Sequence, residues 1–545
     1  GHVKCWGYNA YGQLGHGNTS TASDGENEMG EDLAFVPLGA NRTATGLSVG
    51  EQHACALLDD GSVKCWGRNN YGQLGIGNTT HIGDDPNEMG DFLAAVDLGT
   101  SRTATEIATG QHHSCALLDD GSVKCWGYNA YGQLGIGNQS SRGDGANEMG
   151  DDLVAADLGT GRTAISIEAG ATFTCAILDS GVLKCWGQNS NGQLGQGHSE
   201  NIGHGPDLDS NGISCHPTLN TDDNTRECNA RMGDGLAAVD LGEGRTAVSV
   251  SAGYSSTCAM LDNGSVRCWG SNQYGITGLG TASGSTGDAD GEMGDDLATV
   301  ELGTGRTASS ISVGYSHACA LLDNLGIACW GHNGQGQIGI GTNNDVDTTA
   351  EMGAGLVTVD LPTTRSSSVS SGLYYSCAII QDGTVRCWGE DSDGRLGVYD
   401  GVDEDIGDES GEMGGEMQIT NLYMVPPDFD GDGWIDLWDS DDDNDGYLDT
   451  DDDLPFDERD WFDHDGDGLG INVDTDDDDP SVKTAEEDTA EKWSDAEEEA
   501  CGTLWWSSLS EPNDYDGDGI CDEVDDDVDG NGWNDSYQCE CSGLE

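Results

Sequence analysis

Five short stretches near the C-terminus carry side-chain oxygens at the spacing a hard cation needs. "DFDGDGWIDLWD" (428–439), "DDDNDGYLDTDD" (441–452), "DHDGDGLGINVD" (463–474), "DYDGDGICDEVD" (514–525) and "DVDGNGWNDSYQ" (527–538) all open as D-x-D-x-[DN]-G. Oxygens at the first, third and fifth places, with glycine at the sixth for a sharp turn, are what a calcium loop requires. Two departures stand out: Ile471 holds the ninth place of the third loop, and the last loop ends in Gln538. The competing reading is a solvated acidic linker kept open by self-repulsion. Such a linker has no reason to keep glycine at the sixth place five times. The segment has little to bury, so metal binding and folding are expected to be coupled there.

These loops are not EF-hands. Neighbouring loops abut at a 13-residue step with no room for flanking helices, and the twelfth place is Asp, not Glu. The segment resembles the thrombospondin type 3 calcium-binding repeats, in which successive loops wrap a string of ions. The resemblance implies as ligands Asp428, Asp430, Asp432, Asp436 and Asp439, then Asp441, Asp443, Asp445, Asp449 and Asp452. It continues with Asp463, Asp465, Asp467 and Asp474, then Asp514, Asp516, Asp518, Asp522 and Asp525, and ends with Asp527, Asp529, Asn531 and Asp535. Calcium is the one cofactor expected, at the ~10⁻⁴–10⁻³ M typical of extracellular modules.

Other patterns carry less. "GLSVG" (46–50) fits the serine-hydrolase G-x-S-x-G, and "GQGQIG" (334–339) fits the dinucleotide G-x-G-x-x-G. Sibling stretches lack the serine ("EIATG", "SIEAG"), and "GQGQIG" is a variant of a repeated "YGQLG" with no helix after it, so both are read as turns. His53, His113 and His317 share one place in the repeat, but Phe173, Ser256 and Tyr375 hold it elsewhere, which argues against a ring of metal ligands. Glu28, Glu88, Glu148, Glu292, Glu351 and Glu412 precede "MG" in successive copies, with Arg231 as the exception. They are read as loop residues bonded to backbone or solvent; the alternative is an acidic ring that binds cations. No catalytic residue is assigned.

Cysteines recur with tight turns between them. "CALLDDGSVKCWG" occupies 55–67 and returns unchanged at 115–127. With Asp59-Asp60-Gly61 as a three-residue hairpin loop, Leu58 faces Ser62 and Cys55 faces Cys65. Directly opposed residues lie near disulfide range. The expected bridges are Cys55–Cys65, Cys115–Cys125, Cys175–Cys185, Cys258–Cys268, Cys319–Cys329 and Cys377–Cys387. Each closes an 11-residue loop worth roughly 2.7 kcal/mol in the chain-entropy model. Paired buried thiols are the alternative; zinc is disfavoured because one hairpin offers only two thiolates. Cys215–Cys228 and Cys501–Cys521 are further expected bridges, and the pairing of Cys5, Cys539 and Cys541 is open.

The elements that must position these residues are repeats. The "CWG" tryptophans fall at 6, 66, 126, 186, 269, 330 and 388, giving seven units near 60 residues, the fourth carrying an insertion at about 199–231. Each unit reads as four short strands, in the second "AAVDLG" (94–99), "TEIATG", "SCALL" and "SVKCWG", and then a glycine-rich loop. Short strands with Gly and Asp turns describe a propeller blade rather than a helical solenoid. The strand "QITNLYM" (418–424) is expected to complete the blade begun at residue 1, closing the ring and removing sheet edges. The N-terminus opens in mid-unit and without Met, so two strands and a secretion signal are expected before it. Cys539 and Cys541 raise the same question of further chain beyond the C-terminus.

"GQHHSCALLDDGSVKCWGYNAYGQLGIGN" (110–138) resembles the repeat of the regulator of chromosome condensation family, most closely its secreted prokaryotic branch with cysteine pairs. The resemblance implies an all-β fold, a seven-bladed β-propeller with an N-terminally truncated first blade, over residues 1–425. Residues 426–545 form the loop-rich calcium-binding repeat segment, a stalk. The family's founder is a nuclear exchange factor for a small GTPase, an activity not carried over to a cysteine-paired chain.

Charge bounds the partners. The chain holds 101 Asp and Glu against 20 Lys and Arg, a net charge of −81, and 45 of the acids lie in 426–545. Such a surface repels nucleic acid and anionic membrane. No apolar run reaches 18 residues, so no membrane-spanning segment is expected. Nineteen cysteines in this arrangement place the chain outside the cytosol, extracellular or at the cell surface. The function expected is a secreted or cell-surface binding or adhesion protein with a protein or glycan partner at the propeller face. The alternatives are an extracellular propeller hydrolase or lyase, and an inhibitor or exchange-factor-like propeller.

Overall fold

The computed structural model describes residues 1–204, 232–398, 405–420 and 422, apart from positions 24, 26, 27, 31, 41, 283, 363 and 364. The chain divides into two compact units, Gly1–Tyr423 and Met424–Glu545, and every described residue belongs to the first. Among the described residues the fold is all-β: six small antiparallel sheets, with helical structure limited to single 3₁₀ turns such as Gly90–Phe92.

The sheets repeat one plan. In chain order they are Ala44–Val49, His53–Leu58 and Val63–Gly67 (β1–β3); Ala104–Thr109, His113–Leu118 and Val123–Gly127 (β4–β6); and Ala164–Ala169, Phe173–Leu178 and Leu183–Gly187 (β7–β9). Next comes Ala247–Ala252, Ser256–Leu261 and Val266–Ser271 with the short Ser285–Thr286 (β10–β13). Ala308–Val313, His317–Leu322 and Ile327–Gly331 (β14–β16) and Ser366–Ser371, Tyr375–Ile380 and Val385–Gly389 (β17–β19) complete the set. The hairpin turn is as the residues require. Gly61 sits at φ +77° and Gly61 N–H bonds Leu58 O, so Cys55 falls opposite Cys65. All six hairpin pairs, Cys55–Cys65 through Cys377–Cys387, are bonded.

Two expectations need correction. "AAVDLG" is not a strand. It is an extended segment that touches its sheet through one backbone bond, Val96 N–H to Val63 O at 2.8 Å, because its next groups bond elsewhere: Asp97 O accepts from Gly150 N–H, and Gly99 N–H bonds the Asp97 side chain. Likewise residues 418–420 do not join the unit of residue 1. Thr420 N–H bonds Val385 O at 3.0 Å, in its own unit, as Val96 does with Val63.

The ring is joined instead by two side chains. The indole of each "CWG" tryptophan reaches back to a backbone carbonyl of the preceding unit: Trp66 to Gln13, Trp126 to Gln73, Trp186 to Gln133, Trp269 to Gln193, Trp330 to Ile276 and Trp388 to Gln337. Trp6 makes the same bond to Arg395 O, 389 residues away. Lys64 spans the same seam by donating to Leu38 O, and Lys4 does so to Leu422 O at 3.1 Å. The core lies between sheets, with six of these tryptophans fully buried among the aliphatic residues of neighbouring units. The first strands of successive sheets contact one another (β1 with β4, β4 with β7, β10 with β14, β14 with β17), so they stand innermost.

Candidate binding face

Both ends of every hairpin are fixed by its register, which sorts the loops onto two faces. The turns at 59–61 and their equivalents lie at one end. There Arg42 pairs with Asp59 and Asp60 (3.2 and 2.9 Å), Arg102 with Asp119 and Asp120, Arg162 with Asp179, Arg245 with Asp262 and Arg306 with Asp323. Exposed pairs of this kind contribute about 0–1 kcal/mol each, and they leave this face uniform and charged.

The other end carries aromatic rings. The loops between the first two strands of each unit start at Gly50, Gly110, Gly170, Gly253, Gly314 and Gly372. A Cβ on Gly110 would lie 2.4 Å from Gly170 O, so only glycine lets the loops meet in a continuous rim. Just beyond those glycines, Tyr254 packs against Tyr315 at 4.5 Å between centroids, and Tyr315 against Tyr374 at 5.3 Å, the rings tilted by 51° and 58°. Tyr274 lies on His332 at 4.4 Å, and His332 Nδ1 is 2.9 Å from Asp345 Oδ1. Burial, then Tyr315, Glu390 and Tyr274 around it, hold the Tyr374 hydroxyl above the usual tyrosine range. A second group forms on earlier units. Tyr71 touches His112 and Tyr128, Tyr128 touches Tyr131, and the Arg68 guanidinium sits 5.0 Å over the Tyr11 ring. The unit that carries the insertion interrupts the series, with Ala171, Thr172, Gln188 and Asn191 at the equivalent places.

The histidines sit beneath this rim as wedges between units. His53 Nε2 meets Ser114 Oγ at 2.9 Å, His113 meets Thr174 at 3.0 Å and His317 meets Ser376 at 2.8 Å. Burial, above all, lowers each imidazole to about 3, so they stay neutral. They form no metal ring, and among the described residues no group of three or more His, Cys, Asp or Glu is placed to hold a metal ion.

The glutamates before "MG" bond to their own loops. Glu88 accepts from Gly83 and Asp85 N–H, Glu292 from Gly287, Asp288 and Ala289, and Glu412 from Gly407 and Glu409. Glu28, Glu148 and Glu351 do the same. "GLSVG" lies on strand β1 rather than in a turn, and Ser48 Oγ is held 2.8 Å from Thr109 Oγ1 in the next unit.

Two carboxyls on the inner strands escaped the sequence reading. Glu168 stands where Ser48, Ser251 and Ser312 stand in sibling units, and accepts the Ala252 N–H across the seam. Burial pushes its carboxyl up to about 8, and nearby Glu106 adds to the rise. Glu106 in turn accepts from Ser166 Oγ and Ile167 N–H at 3.1 and 3.3 Å. The aromatic rim was also missed: in "GYSS", "GYSH" and "GLYY" (253–256, 314–317, 372–375) Tyr254 and Tyr315 share one place and Tyr374 stands one place further on.

All the aspartates and Asn531 assigned to calcium, from Asp428 to Asp535, lie outside the described residues, as do Cys215, Cys228, Cys501, Cys521, Cys539 and Cys541.

Comparison with known proteins agrees with this architecture. The ultraviolet-B receptor UVR8 of Arabidopsis thaliana is 26% identical over 347 residues, 63% of this chain and 63% of the receptor. The mitochondrial RCC1 domain-containing protein RUG3 of the same plant is 26% identical over 411 residues, 72% of this chain and 78% of RUG3. The chain thus spans less than two thirds of the receptor's length, and it matches 5% of the human ubiquitin ligase HERC2. Among solved structures, yeast RCC1 (Prp20) bound to Kap60 superposes with a TM-score of 0.53 at 19% identity, covering 76% of this chain and 83% of that one. Prp20p of Saccharomyces cerevisiae in another crystal gives the same score, which bears on fold alone. Residues 44–73, 104–133, 164–193, 247–276, 308–337 and 367–395 each match the regulator of chromosome condensation (RCC1) repeat, so the six sheets are built on six such repeats.

Proposed function

We propose that this chain is an extracellular recognition protein: a seven-unit propeller that offers its tyrosine face to a protein or glycan, with residues 426–545 as a calcium-stabilised stalk. One observation carries the reading. Tyr254, Tyr315 and Tyr374 form a contiguous ladder on the rim, while the opposite face carries repeated ion pairs. Large rings that are half-buried and already packed lose little entropy on contact, and tyrosine is enriched where binding energy concentrates. Six bonded cysteine pairs support an oxidising compartment. Repetition of D-x-D-x-[DN]-G supports calcium in the stalk. A second reading, a propeller that grips a protein as an exchange factor or inhibitor does, draws on the likeness to Prp20p, described with binding properties to Gsp1p and histones.

The test is a panel of extracellular proteins and glycans, probed with the full chain. Tyr254→Ala/Tyr315→Ala/Tyr374→Ala is expected to weaken every positive at least tenfold, and Arg102→Ala/Arg162→Ala to leave them unchanged. The reverse pattern overturns the assignment of the face.

A further inference from the structure

The tyrosine half of the rim carries negative charge and almost no positive charge. Beside the Tyr274–His332 pair, Asp345 Oδ1 accepts from Asn333 N–H at 2.8 Å as well as facing His332. Asp347 lies against Gly275, where an added Cβ would come within 2.6 Å of the Asp347 Cβ. Burial, then Asp345 and Glu351 nearby, hold the Asp347 carboxyl above the usual carboxylate range. Glu390 closes the ladder's far end, its N–H bonded to Tyr374 O at 2.9 Å. In the loops 253–255, 271–275, 314–316, 332–335, 373–374 and 390–395, Arg395 is the one Lys or Arg, and Glu390 and Asp393 hold it. Other cations are committed elsewhere: Lys64, Lys124, Lys184, Arg267 and Arg386 donate to backbone carbonyls, and the arginines of the opposite face pair with its aspartates. The rim also shows what such rings take. Tyr11 and Arg68 hold the places of Tyr274 and His332 in their own units, and there the guanidinium lies over the ring.

We propose that the ligand of this face is a polypeptide presenting arginine or lysine side chains. The cations lie over the rings of Tyr254, Tyr315 and Tyr274, and Asp345 and Asp347 supply the counter-charge. This names the ligand chemistry of the tyrosine face, and it rests on that face being the binding surface. A cation within about 6 Å of a tyrosine ring is attracted by the negative face of the ring. Carboxylates around the rings draw the same cation in and disfavour an acidic partner. A neutral glycan could rest on the rings but would gain nothing from the carboxylates, so the charge favours the basic polypeptide. Tyr254 is 39% exposed, which leaves the ladder open to approach. The five residues named belong to the units of β10–β13 and β14–β16, which have the sheets β7–β9 and β17–β19 on either side.

The experiment is hydrogen exchange of the full chain, in saturating calcium and at about 0.15 M salt, where distant charges are screened. It is read at the amides of 253–256, 314–317 and 331–333, so a peptide held by the acidic loops of 426–545 registers elsewhere. The probe is an acetylated, amidated pentapeptide with arginine at its first, third and fifth places and serine between. Its partner carries citrulline for arginine, which keeps the shape and removes the charge. The arginine peptide is expected to half-protect these amides at a concentration at least tenfold below the citrulline peptide. Tyr254→Leu/Tyr315→Leu, which keeps apolar bulk without the rings, and Asp345→Asn are each expected to raise that concentration at least threefold. Arg102→Ala, on the opposite face, is expected to leave it unchanged. The peptide comparison uses the unaltered chain, so it stands whether or not a variant folds. Equal protection by the two peptides, or none by either, overturns the cationic ligand. A neutral glycan protecting the same amides would then leave the tyrosine face as the binding surface. Panel binders protecting only the turns at 59–61, 119–121 and 179–181 would remove both.

Discussion

The indole nitrogen of Trp6 donates to the carbonyl of Arg395 at 3.1 Å, joining the first residues of the ring to its last repeat. The same bond crosses six other seams, so the two ends of the ring are held by the interaction that holds every neighbour. A neutral hydrogen bond contributes about 1 kcal/mol net. Trp6→Phe is therefore expected to cost about that much. Trp6→Ala, which also leaves a hole at the seam, is expected to cost about 3 kcal/mol, the low end for a large ring that is only partly buried. Urea denaturation measures both, and limited proteolysis of the Trp6→Ala protein should cut within residues 1–43 first. Unchanged midpoints and cutting sites would mean that the seam does not rest on Trp6.

Acid should loosen the seams. His53, His113 and His317 are buried neutral, held near pKa 3 when folded against the ordinary 6.5. A folded value below the unfolded one gives stability that is present above pH about 6.5 and lost as pH falls toward 3. The loss is ~1.4 kcal/mol per pH unit for each histidine. Phe173 fills the same place in one unit without a charge to gain. Melting temperatures from pH 7 to pH 4 should fall steeply in the wild-type chain and less steeply in His53→Phe/His113→Phe/His317→Phe. Parallel curves would remove the histidines as the cause.

One turn is strained. Leu325 occupies φ +66° at the place where Gly61, Gly121, Gly181, Gly264 and Gly383 sit in sibling hairpins. A bulky residue with positive φ costs on the order of 1–2 kcal/mol, partly offset by the greater freedom glycine has when unfolded. Leu325→Gly is expected to stabilise the ring by about 1 kcal/mol, visible as a higher denaturation midpoint. A lower midpoint would show that the Leu325 side chain contributes packing that outweighs the strain.

Calcium should order the second unit. Titrating the full chain by calorimetry, with circular dichroism alongside, is expected to show several ions bound at ~10⁻⁴–10⁻³ M and a gain of structure in 426–545. Heat absent up to ~10 mM, ten times the weak end of that range, would leave the acidic loops without the stalk role.

Much of the ring could be read from spacing alone. Cysteines ten apart around a glycine turn admit one cross-strand register, and a tryptophan every 60 residues marks the seams. "AAVDLG" misled because alternation is shared by strands and by extended segments that dip into a core once. The unit assignment of residues 418–420 failed because a single backbone bond, Thr420 to Val385, decides it, and no pattern encodes such a bond. The aromatic ladder was harder to see because its members come from different positions in different units: Tyr254 and Tyr315 occupy one place, and Tyr374 the next. Only the rim geometry brings them together. Glu168 reads as one more acid until the seam shows it standing in for serine.

The account rests on the tyrosine rim being the surface that meets a partner. The direct measurement is a hydrogen-exchange footprint of the full chain with and without the tightest binder from the panel. Protection is expected at 253–256, 272–276, 314–317, 331–333 and 372–375. Protection confined to the turns at 59–61, 119–121 and 179–181 would contradict it.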